Sequence, residues 1–169
     1  MIVTAIDRDY SLYKLVQDLQ PPKLFTVKRE VLSKWCETME EEVVERQLVT
    51  SVFVGFQVFT FFLPVMERFG KIASYANQVS IFAQPDVELR TLDNIDVVCL
   101  NADDQLRREW FLIICHEDFM RAIVAREITD PGTPNSERVF EGIRTNHRKT
   151  IEEIYRSLSQ LVERAKAKG

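Results

Sequence analysis

The stretch Val52-Phe53-Val54-Gly55-Phe56-Gln57, running through Val58-Phe59-Thr60-Phe61-Phe62-Leu63-Pro64 to Val65-Met66-Glu67-Arg68-Phe69-Gly70, decides the fold. Its first part is apolar at odd and even positions alike, the pattern of a strand buried on both faces. Gln57 is the one polar side chain there and ends the strand. Helical spacing then takes over, with Met66, Phe69, Ile72 or Ala73, and Ala76 on one stripe. A strand end carrying Gln57 and feeding a helix through Phe59, Phe61 and Phe62 has the composition of a pocket wall. It has equally the composition of a core.

Upstream, Asp9 or Ser11 can cap a short helix with the stripe Leu12, Leu15 or Val16, and Leu19. The pair Pro21-Pro22 is expected to stop it, because a proline ring drives the residue before it out of helical geometry. Residues 24–27 read as an extended connector, with Thr26 a candidate cap. The spacing then predicts a long helix over 28–47, burying Val31, Leu32, Trp35, Cys36, Met39 and Val43 and exposing Glu37, Glu40, Glu41 and Glu45. Glu42 and Arg46 stand four apart in the favourable order for a surface pair.

Downstream, strands are expected at 79–83, 95–100 and 109–115, with turns at Pro85-Asp86 and 101–104. His116-Glu117-Asp118 reads as a hairpin turn returning through 119–128. That segment alternates like a strand at Met120, Ala122, Val124 and Ile128, and its place between two turns selects strand over helix. Residues 130–136 are a breaker-rich loop, and 139–144 a last strand. A final helix over 146–166 presents Ile151, Ile154, Tyr155, Leu158, Leu161 and Val162 on one face. Clustered strands joined by short turns predict an α/β fold of the α+β type: a mixed, largely antiparallel sheet of five to six strands covered by helices. Residues 1–145 are taken as the main domain and 146–169 as an amphipathic helix with a basic tail.

At 169 residues and 46% hydrophobic, the chain is large enough to bury a core without staples. A formal charge of −4 argues against a nucleic-acid surface. Three scattered cysteines in apolar settings fit free thiols in a cytoplasmic protein. The sequence shows no membrane-length apolar run and no basic-then-apolar leader. The tail from Ile143 carries seven basic residues against three acidic ones, too spread for a phosphate-binding stripe.

Motifs of chemistry are absent. The five glycines form no phosphate loop or dinucleotide fingerprint, and His116 and His147 lack metal-ligand spacing. Cys36, Cys99 and Cys115 sit in buried patterns that suit core thiols better than nucleophiles. Arg126-Glu127, Glu141 and Arg144 lie in or beside strands, and buried charges need partners. They are expected to pair across the sheet, or to meet a polar ligand beside Gln57. An enzyme with a charged cleft would have to rest on Arg126, Glu127 and Glu141.

Several short motifs together resemble the DICT domain, a bacterial sensory module. They are Leu12-Tyr13-x-Leu15; Leu32-x-x-x-Cys36 with Met39-Glu40-Glu41-Glu42; Phe53-Val54-Gly55-Phe56-Gln57 leading to Pro64-x-x-Glu67-Arg68-Phe69; Val79 through Asp86; Trp110-Phe111-Leu112-Ile113; Ala125-Arg126-Glu127; and Phe140-Glu141-Gly142. They run in the family's order from about Ser11 to Leu158. The resemblance implies a non-enzymatic input domain of diguanylate cyclases and two-component systems, with a suggested link to light responses and no assigned catalytic residues. This chain has no room for an output domain, so it is expected to signal to a separate protein. A constitutive adaptor without ligand is the alternative. Candidate ligand-binding residues are Phe56, Gln57, Phe59, Arg68, Trp110, Arg126 and Glu141. Candidate partner-binding residues are Ile154, Tyr155, Leu158 and Leu161, through which a homodimer is also conceivable. The resemblance names no cofactor.

Overall fold

The apolar run at residue 52 becomes the pivot of an eight-stranded open sheet. The computed structural model describes residues 1–19, 23–89 and 91–168. In chain order the elements are β1 (Ile2–Val3), α1 (Leu12–Leu19), β2 (Phe25–Lys28), α2 (Arg29–Arg46), β3 (Ser51–Val58), α3 (Met66–Ala73), β4 (Gln78–Gln84), β5 (Ile95–Cys99), β6 (Glu109–His116), β7 (Phe119–Glu127), β8 (Val139–Thr145) and α4 (Arg148–Lys168). The sheet order is β1-β5-β4-β3-β6-β7-β8-β2. On one side of β3 the strands β4, β5 and β1 run parallel; on the other, β6, β7, β8 and β2 alternate antiparallel. The mixed α+β class and its six expected strands are found. Two edge strands, β1 and β2, add to them.

Because side chains alternate across a strand, the doubly apolar strands feed two cores. On one face, Val52, Val54, Phe56, Trp110, Leu112 and Ile123 pack under α2 and α3. On the other, Phe53, Phe111, Ile113 and Val124 meet α1 and α4, whose Leu12, Val16, Ile154 and Leu158 are fully buried. The result is a sheet between two helical layers.

Several local expectations are corrected. Residues 25–28 are not a connector: they pair with β8, and Thr26 is an exposed strand residue, not a cap. Helix α2 buries Leu32, Cys36, Glu40 and Val43, a stripe at helical spacing that takes in a glutamate expected at the surface and leaves Val31 exposed. Of the two candidate caps for α1, Ser11 accepts a hydrogen bond from the Lys14 amide at 3.1 Å. Glu109, wholly buried, reinforces that end by accepting from Ser11 Oγ and the Tyr13 amide, each at 2.7 Å. The Pro21-Pro22 stop lies outside the described residues. No described helix is long and apolar enough to cross a membrane.

Candidate functional site

A bulge in β3 builds the site. Its register against β4 shifts between Gly55 and Gln57, so Phe56 is an extra residue and Gln57 takes φ 68°. Left-handed backbone is costly for a residue with a Cβ, and bulges of this kind re-aim side chains at sheet ends. Without the bulge Gln57 would face α1 and α4. With it, Gln57 pairs with Ala83 and turns to the α2 face.

There it completes a buried polar cluster. Gln57 Nε2 donates to Glu127 Oε1 at 3.3 Å, and Gln57 Oε1 accepts from Arg138 Nη2. Arg138 grips Glu127 through two nitrogens, Nε to Oε2 at 2.9 Å and Nη2 to Oε1 at 2.8 Å. Thr129 Oγ1 donates to Oε2 at 2.7 Å. Burial alone would raise the Glu127 pKa, but the hydrogen bonds from Arg138 and Thr129, with the charge of Arg138, hold it at about 2.

Beside this cluster, between α2, α3 and the sheet, lies a partly enclosed cavity of about 140 Å³. Phe56, Phe61 and Trp110 supply aromatic walls, and Arg29, Glu40 and Arg68 supply charge. Arg68 Nη1 donates to Glu40 Oε1 at 2.8 Å. Burial nevertheless pushes Glu40 up to about 7, with Arg68 opposing it. The Arg29 guanidinium stacks over Phe61 at 4.8 Å and Trp110 at 5.5 Å. Its buried Nε has no hydrogen-bond partner among the described residues. Cys36 also lines the cavity, its thiol pKa driven far up by burial, which makes it a poor nucleophile. No group of three or more potential metal ligands occurs among the described residues.

The sequence-derived candidates therefore divide. Phe56, Arg68 and Trp110 line the cavity, and Gln57 sits in the adjoining cluster. Phe59 is instead a core residue, packed on Phe62 at 5.4 Å between ring centres. Arg126 and Glu141 lie on the opposite face, where they are cross-strand neighbours: Arg126 Nη2 donates to Glu141 Oε1 at 2.7 Å, as does the Tyr13 hydroxyl at 3.0 Å. They do not meet Gln57. Ile154, Leu158 and Leu161, read as a partner face, are buried against the sheet, and Tyr155 packs edge-on to Phe53 at 5.7 Å. The helix stripe is spent on its own domain. Arg29, Glu40 and Arg138 were missed. Glu40 could have been found from its place on the Leu32, Cys36, Val43 stripe; the other two carry no local signal.

The family model for DICT, a sensory domain in diguanylate cyclases and two-component systems, matches residues 9–128, from the turn before α1 to just past β7. The chain belongs to the DICT family. Its matched region holds the residues that line this cavity and Gln57 and Glu127 of the cluster, while Thr129, Arg138 and α4 follow it. No curated protein matches the chain. Among solved structures it is similar to a polyphosphate kinase from Porphyromonas gingivalis, at 14% identity and a TM-score of 0.47, over 88% of this chain and 26% of that one. The chain thus spans about a quarter of that protein, and so slight a likeness carries no argument about this DICT domain.

Proposed function

We propose that this DICT domain is a non-enzymatic cytoplasmic input module that binds a small molecule in the cavity between α2, α3 and the sheet. Residues 1–145 sense, and the helix within 146–169 relays the change to a separate output protein. The observation that carries the reading is the buried Arg29 Nε without an acceptor, set between Phe61 and Trp110 on the cavity wall. An unpaired buried N–H costs roughly 1–3 kcal/mol, which a ligand acceptor would recover. Relay is supported by β3 itself: Val54 and Phe56 line the cavity, while Phe53, the residue before Val54, bears on Tyr155 of α4 from the opposite face. A ligand shifts such a domain only by favouring one of two arrangements.

The test is a native mass spectrum of the protein purified from its own cells. A mass excess that vanishes on denaturation, and is missing from a folded Arg29→Gln variant, supports the reading. A clean apo mass refutes it. An adaptor role is the second reading, favoured by an open groove of about 780 Å³ in which Trp35, Met39 and Phe119 lie beside Arg121 and Arg144. A co-purifying protein chain with no small molecule would favour that reading.

A further inference from the structure

Four arginines converge on one end of the strands. Arg107 and Arg108 immediately precede β6, Arg138 precedes β8, and Arg29 follows β2. The strand registers place all four beyond the carboxyl end of β3. Carboxyl ends of parallel strands, where the strand order changes direction, are the usual ligand positions of open sheets. β3 is such a place, parallel to β4 and antiparallel to β6.

A cavity of about 200 Å³ opens there, lined by Arg107, Arg108, Arg138, Glu127 and the loop at Gly132 and Thr133. Among the described residues Glu127 is the one acidic side chain in its wall, and both of its oxygens are engaged by Arg138. Arg138 is thereby neutralised. Arg108 is held in place by backbone carbonyls, donating to Thr129 O at 2.8 Å and Glu127 O at 3.2 Å. It stands 3.7 Å from a Glu127 oxygen that Arg138 already takes. Arg107 spends Nε on a neutral acceptor, Gln84 Oε1, at 2.8 Å. Two guanidinium charges therefore face the cavity with one shared, saturated carboxylate. Burial and the charge of Arg138 push the Arg107 pKa down, with Glu127 and Asp86 opposing them.

We propose that this cavity binds a phosphoryl group, either as free phosphate or as the head of a phosphorylated small molecule. Paired guanidinium forks match tetrahedral oxyanions through charge-assisted hydrogen bonds. The site is independent of the reading above, since among the described residues the two cavities share only Phe61.

The experiment is titration calorimetry of the full chain with inorganic phosphate and, separately, glycerol 3-phosphate. Saturable binding that weakens about tenfold or more in Arg107→Gln and in Arg108→Gln is the expected result. A monoester that binds more tightly than phosphate assigns a phosphorylated metabolite; equal or weaker binding assigns the free ion. Arg107 is half-buried and its Nε bond is to a neutral group, so Arg107→Gln should keep the wild-type circular dichroism. Should Arg108→Gln not fold, the Arg107 variant decides alone, with the phosphorus NMR line of added phosphate as its second readout. The proposal is overturned by no heat and no line broadening at about 10 mM anion, far above any useful affinity. It is overturned equally by binding that Arg107→Gln leaves unchanged. Loss of phosphate binding with an intact native mass excess would separate this site from the partly enclosed cavity.

Discussion

Glu40→Gln tests whether burial or ion pairing governs the partly enclosed cavity. The Glu40 side chain is 6% exposed, and its pKa is raised from 4.5 to about 7 despite Arg68 at 2.8 Å. Between those values the folded protein holds a proton that the unfolded chain has released. Stability from this group is therefore complete at low pH and falls as pH rises through the window. At 1.36 kcal/mol per unit, the loss is about 3 kcal/mol by pH 8. Gln is nearly isosteric and has no charge to desolvate. Removing one partner of a buried pair can cost 3–5 kcal/mol when the other charge is stranded. Here Arg68 is 27% exposed and also approaches Glu37 at 4.0 Å, so it is not stranded. Urea unfolding of both proteins at pH 4.5 and pH 8 reads the effect. The variant should gain on wild type by about 3 kcal/mol between the two pH values. A stability difference independent of pH, or one that moves against the variant at pH 8, would refute the argument that burial outweighs the pair.

Three further outcomes follow from neighbouring features. Glu127→Gln should cost about 3–5 kcal/mol near neutral pH because it leaves Arg138 buried and unpaired. It should also remove the part of acid destabilisation that wild type shows as pH falls from 4.5 towards 2, read by urea unfolding across that range. Gly142→Ala would set a methyl group 2.7 Å from Ala125 Cα and against the Val124 carbonyl, backbone that cannot yield; a loss of about 3 kcal/mol in denaturant unfolding is expected. Leu158→Ala, fully buried between α4 and the sheet, should lower stability by about 2–5 kcal/mol in the same assay.

What the sequence disclosed follows from burial. The middles of β3 and β6 are apolar at odd and even positions alike because helices cover both faces, so they announce themselves without alternation. β7 is ambiguous by pattern and became legible through the tight turn at Glu117-Asp118. β1 and β2 escaped for the opposite reason. They span two and four residues on the sheet edges, too short to hold a pattern against their loops. Glu40 was misplaced because its chemistry says surface while its spacing says core, and the compensating Arg68 lies 28 residues away. The Gln57, Glu127 and Arg138 cluster joins separations of 70 and 81 residues through strand registers and a bulge that inverts one side chain. Neither quantity is written locally. The pairing of Arg126 with Glu141, by contrast, was foreseeable once both were assigned to strands.

The junction at β3 also orders events in time. Its antiparallel side holds a run of neighbours in sequence, with only the edge strand β2 coming from far away: two residues separate β6 from β7, and β8 follows after one loop. Its parallel side closes on itself only when β1, at the chain's start, finds β5 more than 90 residues later. Contacts between sequence neighbours form with less loss of chain entropy, so the β6-β7-β8 meander should gain amide protection first in pulsed hydrogen exchange during refolding. The β1 and β2 edges, whose partner strands lie more than 90 residues away in sequence, should gain it last and be the first to exchange in the native protein. One half of the sheet is thus a template that stands early, and the other is a shelf assembled onto it through β3.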